Sequence, residues 1–293
     1  MATATKTKSS TKKTSTKKAE NSAPVNQAVD TTKKVDYAQL LKEALTGEGK
    51  LLEAYKLFHN FSFCNTILAM VQLKEVAPIK TYNQWLAIGR KVKAGEKAVA
   101  LWMPVNKFKT NETGEKEQSG MFFVFKRQWF GYHQTELIAG QNDLYKEEAC
   151  PVWDEKKALK ELAIKKVKFA KVNGNVQGYA SADKIAINPM AQLPMKTMFH
   201  EMAHIVLEHT KEIELLVDSE KITKDLKEVE AEATAMLCLA SLDMDGMDYC
   251  RGYMQSWFKG KQEIPEKSCQ RIISATNKIL KAGMPKKEYN NNK

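Results

Sequence analysis

Apolar positions recur with a helical period at both ends of the chain and alternate in its middle. Leu40, Leu41, Ala44 and Leu45 fall on one face after Tyr37, which predicts a helix broken by Gly47 and Gly49. A second helical stretch covers about Leu51 to Phe58, and a third runs from Ser62, a good N-cap, to about Lys74. Pro78 closes that region. Thr81 to Ile88 reads as a short helix ended by Gly89, with a turn at Lys93-Ala94-Gly95-Glu96. Strand patterns follow at Ala98 to Val105 and Gly120 to Phe125, joined by a charged hairpin loop holding Asn111 and Gly114.

Around Cys150-Pro151 the strand signals stop, and the period returns to helical. A helix is expected from Asp154 to about Lys166, then strands at Val167–Val172 and Lys184–Ile187. A long helix follows from about Pro194 to His209, its proline suited to the first turn, and another from about Thr223 to Leu242. The expected fold class is α+β: a mixed α+β N-terminal domain over 36–150, then a mainly helical domain with a small sheet over 151–285. Residues 1–35 and 286–293 are expected to be disordered tails, the first rich in Thr, Lys, Ser and Ala without any hydrophobic period.

Composition narrows the class without choosing a function. With 293 residues, 43% hydrophobic and 28% charged, the chain can bury a sizeable core and reads as globular. No apolar run is long enough to span a bilayer, and the N-terminus lacks an apolar signal region, so the cytoplasm is the expected compartment and no membrane is implied. Cys64, Cys150, Cys238, Cys250 and Cys269 are scattered without a C-x-x-C pair, which argues against a disulfide framework and a zinc ribbon. The net charge of +11 is concentrated: residues 1–35 hold eight lysines and two acids, while 36–150 hold fifteen basic and thirteen acidic residues. A basic tail attracts nucleic acid through counterion release, and it equally serves as a solubilising leader.

The sharpest motif is His200-Glu201-Met202-Ala203-His204, an H-E-x-x-H pattern. Histidines at i and i+4 share a helical face, so both rings reach one zinc ion, and the intervening Glu201 is placed to act as general base on an activated water. The alternative is an amphipathic helix with packing histidines. Met198, Phe199, Met202, Ile205 and Val206 make the surroundings apolar, where two histidines and a glutamate need polar partners. A third ligand is expected from the following helix, where Glu228 and Glu232 stand at i and i+4. Glu228 is assigned to the metal and Glu232 to orienting a ligand histidine. The reverse order remains open, Glu230 is a weaker candidate, and three acids on a solvated face are the bland alternative. His209, five residues after His204 with no glycine between, is expected at the surface.

The motif with its downstream E-x-x-A-E, preceded by a strand holding Ile185 and Ile187, resembles the gluzincin-type metallopeptidases. That resemblance implies peptide-bond hydrolysis of a protein or peptide substrate aligned along Gly178 to Ile187. The N-terminal half carries Phe61-Ser62-Phe63-Cys64-Asn65, Gln72, Thr81-Tyr82-Asn83-Gln84-Trp85 and Gly89-Arg90-Lys91-Val92-Lys93-Ala94-Gly95-Glu96-Lys97. These segments, with Pro104-Val105, Val124-Phe125 and Gln134-Thr135, resemble ArdC-type antirestriction proteins. The resemblance covers most of residues 36–285 and implies a single-stranded-DNA-binding domain followed by a zincin-like metallopeptidase domain, protecting incoming plasmid or phage DNA. Alternatives are a DNA-binding protein whose zinc is structural, and a DNA-stimulated regulatory protease that cleaves a repressor.

Read on their own residues, Trp85 with Arg90, Lys91, Lys93 and Lys97, and Lys126 and Arg127 before Trp129, Phe130 and Tyr132, combine cations with flat rings. Single strands are bound by such combinations. Against this, Trp85, Trp102, Phe122 and Phe123 are ordinary core candidates and the lysines an ordinary solvated rim.

Overall fold

A computed structural model describes residues 35–46, 49–111, 115–170, 175–211, 223–250, 252, 254 and 263–285. The expected tails, Gly47 and Gly114 lie outside them, apart from Val35 at the end of the first tail. The fold class is α+β. Three helices open the described chain: α1 (Tyr37–Thr46), α2 (Lys50–Phe58) and α3 (Phe63–Gln72). Ser62 caps α3 by accepting a hydrogen bond from the Asn65 amide, which fixes the turn between α2 and α3.

The middle of the chain is built on strands β1 (Ile79–Thr81), β2 (Arg90–Val92), β3 (Val99–Thr110), β4 (Lys116–Gly131) and β5 (Thr135–Leu137), with the short helix α4 (Tyr82–Ala87) after β1. A capping box between Thr81 and Gln84 starts α4. All pairings here are antiparallel: β4 lies between β1 and β3, and β2 pairs with β5. The β3–β4 hairpin runs well past the strands expected from alternation, from the Val99–Trp129 pair at its base to the Thr110–Lys116 pair at its tip. Only its base packs on the core, through Val99, Leu101, Trp102, Phe125 and Trp129.

In the second half, α5 (Glu155–Glu161) is shorter than expected. Its end is set by Ala163 in the left-handed region (φ 55°), with the Ile164 amide bonding back to Leu159. Strands β6 (Lys165–Lys166), β7 (Gly178–Ser181) and β8 (Lys184–Ile187) form a small sheet in the order β6-β8-β7, so β7 is an edge. Of the strand expected at 167–172, residues 167–170 are not strand, β6 ending just before them at Lys166, and residues 171 and 172 lie outside the described residues. Helices α6 (Pro194–Val206), α7 (Lys224–Leu242) and α8 (Glu266–Gly283) complete the chain.

Helix α7 is the axis of the fold. Val229 to Leu239 are buried without interruption, and α1, α2, α6 and α8 all pack on it. Helix α6 presents Met198, Phe199, Met202 and Ala203 to this core, with Phe199 edge-on to Trp153. The N-terminal helices share the same apolar cluster: Leu41, Phe58 and Ile67 belong with Leu237, Ile272 and Ile279. Among the described residues no helix is long and apolar enough to cross a membrane.

Candidate functional site

The period of α6 carries His200 and His204 to one side of the helix, opposite its buried stripe, and facing α7. Their Nε2 atoms lie 3.1 Å apart. From α7, Oε2 of Glu228 approaches to 3.4 Å from His200 Nε2 and 3.7 Å from His204 Nε2. Among the described residues these three side chains form the group able to hold a metal ion, their donor atoms all within 4.8 Å of one another.

The fit can be tested by asking which ring nitrogen of each histidine carries a proton. Glu232, four residues along α7 from Glu228, is buried and can only accept when ionised; its Oε2 lies 2.9 Å from His200 Nδ1. His200 therefore donates from Nδ1, and its Nε2 is the nitrogen turned to His204 and Glu228. Lys196 braces the other oxygen of Glu232 at 2.9 Å. Two imidazole nitrogens and one carboxylate oxygen converge here, an arrangement that calls for a positive charge among them, supplied by a proton or by a divalent metal. Tetrahedral zinc with Zn–N near 2.0–2.1 Å would hold two nitrogens about 3.3 Å apart, close to the spacing present. The residues fit a divalent metal.

The electrostatics point the same way. Burial works to lower the His200 pKa, but the carboxylates of Glu228 and Glu232 outweigh it and hold the ring up at about 9. Burial alone would raise Glu232; hydrogen bonds and charge from His200 and Lys196 bring it down to about 2. The neighbouring rings, His200 foremost, hold Glu228 far below the usual carboxylate range. The pocket is built for a cation, with the ionised carboxyls of Glu228 and Glu232 beside two rings.

Glu201 points elsewhere on α6, buried, and towards β7: a β-carbon at Gly178 would come to 3.1 Å from its Oε1. Gly178 thus lets the edge strand lie against the motif helix. Glu201 also adds its negative field to His200.

His209 is not at the surface, contrary to the expectation drawn from the missing glycine. Its side chain is only 3% exposed. Helix α6 ends at Leu207, and Glu208 adopts the left-handed conformation (φ 64°) that glycine usually supplies. The Glu208 amide bonds Ile205 and the His209 amide bonds His204, a Schellman turn that folds His209 back under the helix. Glu230 points away from the metal-binding group. It is fully buried, and its Oε2 accepts from His209 Nε2 at 2.8 Å and Arg271 Nε at 3.3 Å. The acids of α7 are thus not a solvated face: Glu230 and Glu232 are core residues with partners.

In the N-terminal half the expected DNA-contacting residues separate into two groups. Trp85 is fully buried, donating its indole N–H to the Phe130 carbonyl with Tyr132 and Tyr145 packed around it, so it has no open face for a base. Arg90 is also buried: its guanidinium bonds Thr135, Tyr132 and Asp143 and stacks on the Tyr132 ring. Both hold the fold of this half together. Lys91, Lys93 and Lys97 are exposed, Lys91 beside Glu136 and Lys93 bonded to the His133 carbonyl. Arg127 bonds the Ala98 carbonyl next to Lys97 and continues this strip onto the hairpin.

The hairpin arm then carries exposed rings, among them Phe122 and Phe123, which the sequence marks as core candidates. Phe108 and Phe123 are each 58% exposed and Phe122 is 40% exposed, with Lys107 over the Phe122 ring. Alternation betrays two strands but not their length, and an apolar face on a strand is read as inward unless its partners are known.

No curated protein matches the chain. Two solved structures that resemble it are both of the antirestriction ArdC protein from R388 plasmid. The metal-free structure has a TM-score of 0.47 at 16% identity, covering 84% of this chain and 94% of that one. The Mn(II)-bound structure has a TM-score of 0.46 at 17% identity, covering 84% and 97%. Within the sequence, residues 25–130 match the family model described as the N-terminal domain of anti-restriction factor ArdC.

Proposed function

We propose that this is an ArdC-type antirestriction protein acting in the cytoplasm. Residues 36–150 bind single-stranded DNA, and residues 151–285 carry a zinc-dependent metallopeptidase site. The family match over residues 25–130 supports the first half of this reading. The observation that carries the second is the convergence of His200, His204 and Glu228, with Glu232 setting the proton on the first histidine. Among the described residues the group offers three donors, the number a catalytic zinc takes, whereas a structural zinc takes four.

When bound there, zinc would supply the lowered water pKa on which hydrolysis depends. The chain's own residues do the rest. Glu201 receives the proton of the attacking water at its carboxylate and returns it to the leaving amine. Strand β7, the end strand of its sheet among the described residues, offers backbone groups to which a peptide adds as a further strand, beside Glu201. In the other half, Lys91, Lys93, Lys97 and Arg127 track phosphates while Phe108, Phe122 and Phe123 stack on bases. Together these would let the protein coat transiently single-stranded incoming DNA and cut a protein that threatens it.

The test joins a metal assay to Glu201→Gln. One zinc per chain, lost in His200→Ala, with proteolysis abolished by Glu201→Gln and zinc retained, is the expected result. Antirestriction that survives Glu201→Gln unchanged would reduce the site to a structural one.

A further inference from the structure

Among the described residues His204, unlike His200, has no carboxylate at its Nδ1. What lies there is another imidazole: His209 Nδ1, at 3.0 Å. Two ring nitrogens at that distance need one proton between them, and the far end of His209 decides whose it is. Nε2 of His209 lies 2.8 Å from Oε2 of Glu230, which also takes a hydrogen bond from Arg271 Nε. An ionised carboxylate already facing a guanidinium only accepts, so His209 donates from Nε2. Its Nδ1 is then the acceptor, His204 donates from Nδ1, and the lone pair of His204 is forced onto Nε2. That nitrogen is the one facing His200 and Glu228.

We infer that the Glu230–His209 pair is the positioning device for His204: it fixes the ring's tautomer and rotation so that Nε2 is presented to the metal. The inference rests on the metal-site reading above. His209 is not a fourth ligand, because it touches the opposite nitrogen of His204 from the one that faces Glu228. The pair is held from three sides. The Schellman turn at Glu208 delivers His209, α7 delivers Glu230, and Arg271 of α8 ties both ends by donating to Glu230 and to the Leu207 carbonyl. The two ligand histidines are thus oriented by different chemistry, one directly by a carboxylate and one through an intervening imidazole. A carboxylate on α7 stands at the end of each chain, Glu232 and Glu230.

The test uses the full chain and compares His209→Phe, which keeps a planar ring but offers no acceptor, with His209→Asn, whose side-chain oxygen stands at the same remove from the backbone as Nδ1. Zinc affinity by chelator competition should fall about 10–100-fold in His209→Phe and recover to within about tenfold of the parent in His209→Asn. The second readout is the nitrogen spectrum of the ring in chelator-stripped protein, tractable with five histidines in the chain. His204 should be the Nδ1–H tautomer in the parent and in His209→Asn, and lose that preference in His209→Phe. A folded His209→Phe with parental zinc affinity, or a parent whose His204 is protonated at Nε2, overturns the inference. Zinc binding untouched by His200→Ala would instead sink the metal-site reading, and the tautomer spectrum would still decide what His209 does.

Discussion

Nδ1 of His200 lies 2.9 Å from Oε2 of Glu232, and the same carboxylate takes Lys196 at its other oxygen. A buried carboxylate braced in this way commits the histidine to one protonation pattern before any metal arrives. Glu232→Gln preserves the shape while removing that commitment, since an amide can donate as well as accept. Metal affinity should fall about 10–100-fold with the fold intact, measured by equilibrium titration against a chelator. Unchanged affinity would show that Glu232 is there only to neutralise Lys196.

Gly178 is where the edge strand meets the motif helix. A methyl group there would meet Thr197 Cγ2 at 2.6 Å and the Ala186 carbonyl at 3.1 Å. The Thr197 methyl has little room to retreat, because the residue is buried. Gly178→Ala should cost about 1–3 kcal/mol of stability, read from denaturant melts. It should also displace β7 from Glu201, so that any hydrolysis falls more than stability alone explains.

Glu208 occupies a conformation that costs an L-residue roughly 1–2 kcal/mol, against a chain-entropy cost for glycine of about 0.5–1 kcal/mol. Its ion pair with Lys211 is exposed and offsets little. Glu208→Gly should therefore raise stability by up to about 1 kcal/mol, seen as a higher melting temperature, with His209 undisturbed.

Asp143 gives a pH dependence. The Tyr145 amide, the Tyr132 hydroxyl and Arg90 all donate to its carboxylate or stabilise its charge, and hold its pKa below the ordinary value. A depressed carboxylate contributes stability above its unfolded pKa and loses it as pH falls through the folded one. Asp143→Asn should thus lower stability at neutral pH and flatten the loss seen below about pH 4, the ordinary range for the group. Parallel acid-melting curves for parent and variant would count against this.

The hairpin arm separates binding from folding. Phe123→Ala should weaken single-stranded DNA by about 1–3 kcal/mol with little change in stability. Replacing both Lys93 and Lys97 with Ala should reduce the salt slope of binding by about 0.7 for each phosphate no longer neutralised. Trp85→Ala should do the reverse, removing about 3–5 kcal/mol of stability as a buried aromatic. A Phe123 variant that binds as the parent does would remove the arm from the interface.

What the sequence makes legible is whatever depends on period. His200 with His204, and Glu228 with Glu232, are each one helical turn apart, and the spacing alone makes each pair neighbours. The caps at Ser62 and Thr81 are equally local. What stays hidden depends on reversals and on partners distant in the chain. The turn at Glu208 uses a residue that gives no sign of it, so the spacing puts His209 outside while the fold puts it in. Arg90 carries a charge that suggests solvent, yet Asp143, fifty-three residues later, draws it inside. The paired Phe122 and Phe123 look like core, and only the reach of the hairpin beyond the helices leaves them uncovered.

The continuous packing of α1, α2 and α3 onto α7 and α8 has a consequence for how the molecule comes apart. The Phe63 amide bonds Asn277, and Lys281 reaches the His59 carbonyl, so the first and last helices are clasped to each other. Severing the chain near residue 150 would strip the oily flank of α7 on one fragment and of α2 on the other, leaving two sticky halves instead of two working modules. Heating should melt the whole molecule in a single step, and zinc added at one end should delay the loss of tryptophan signal at the other.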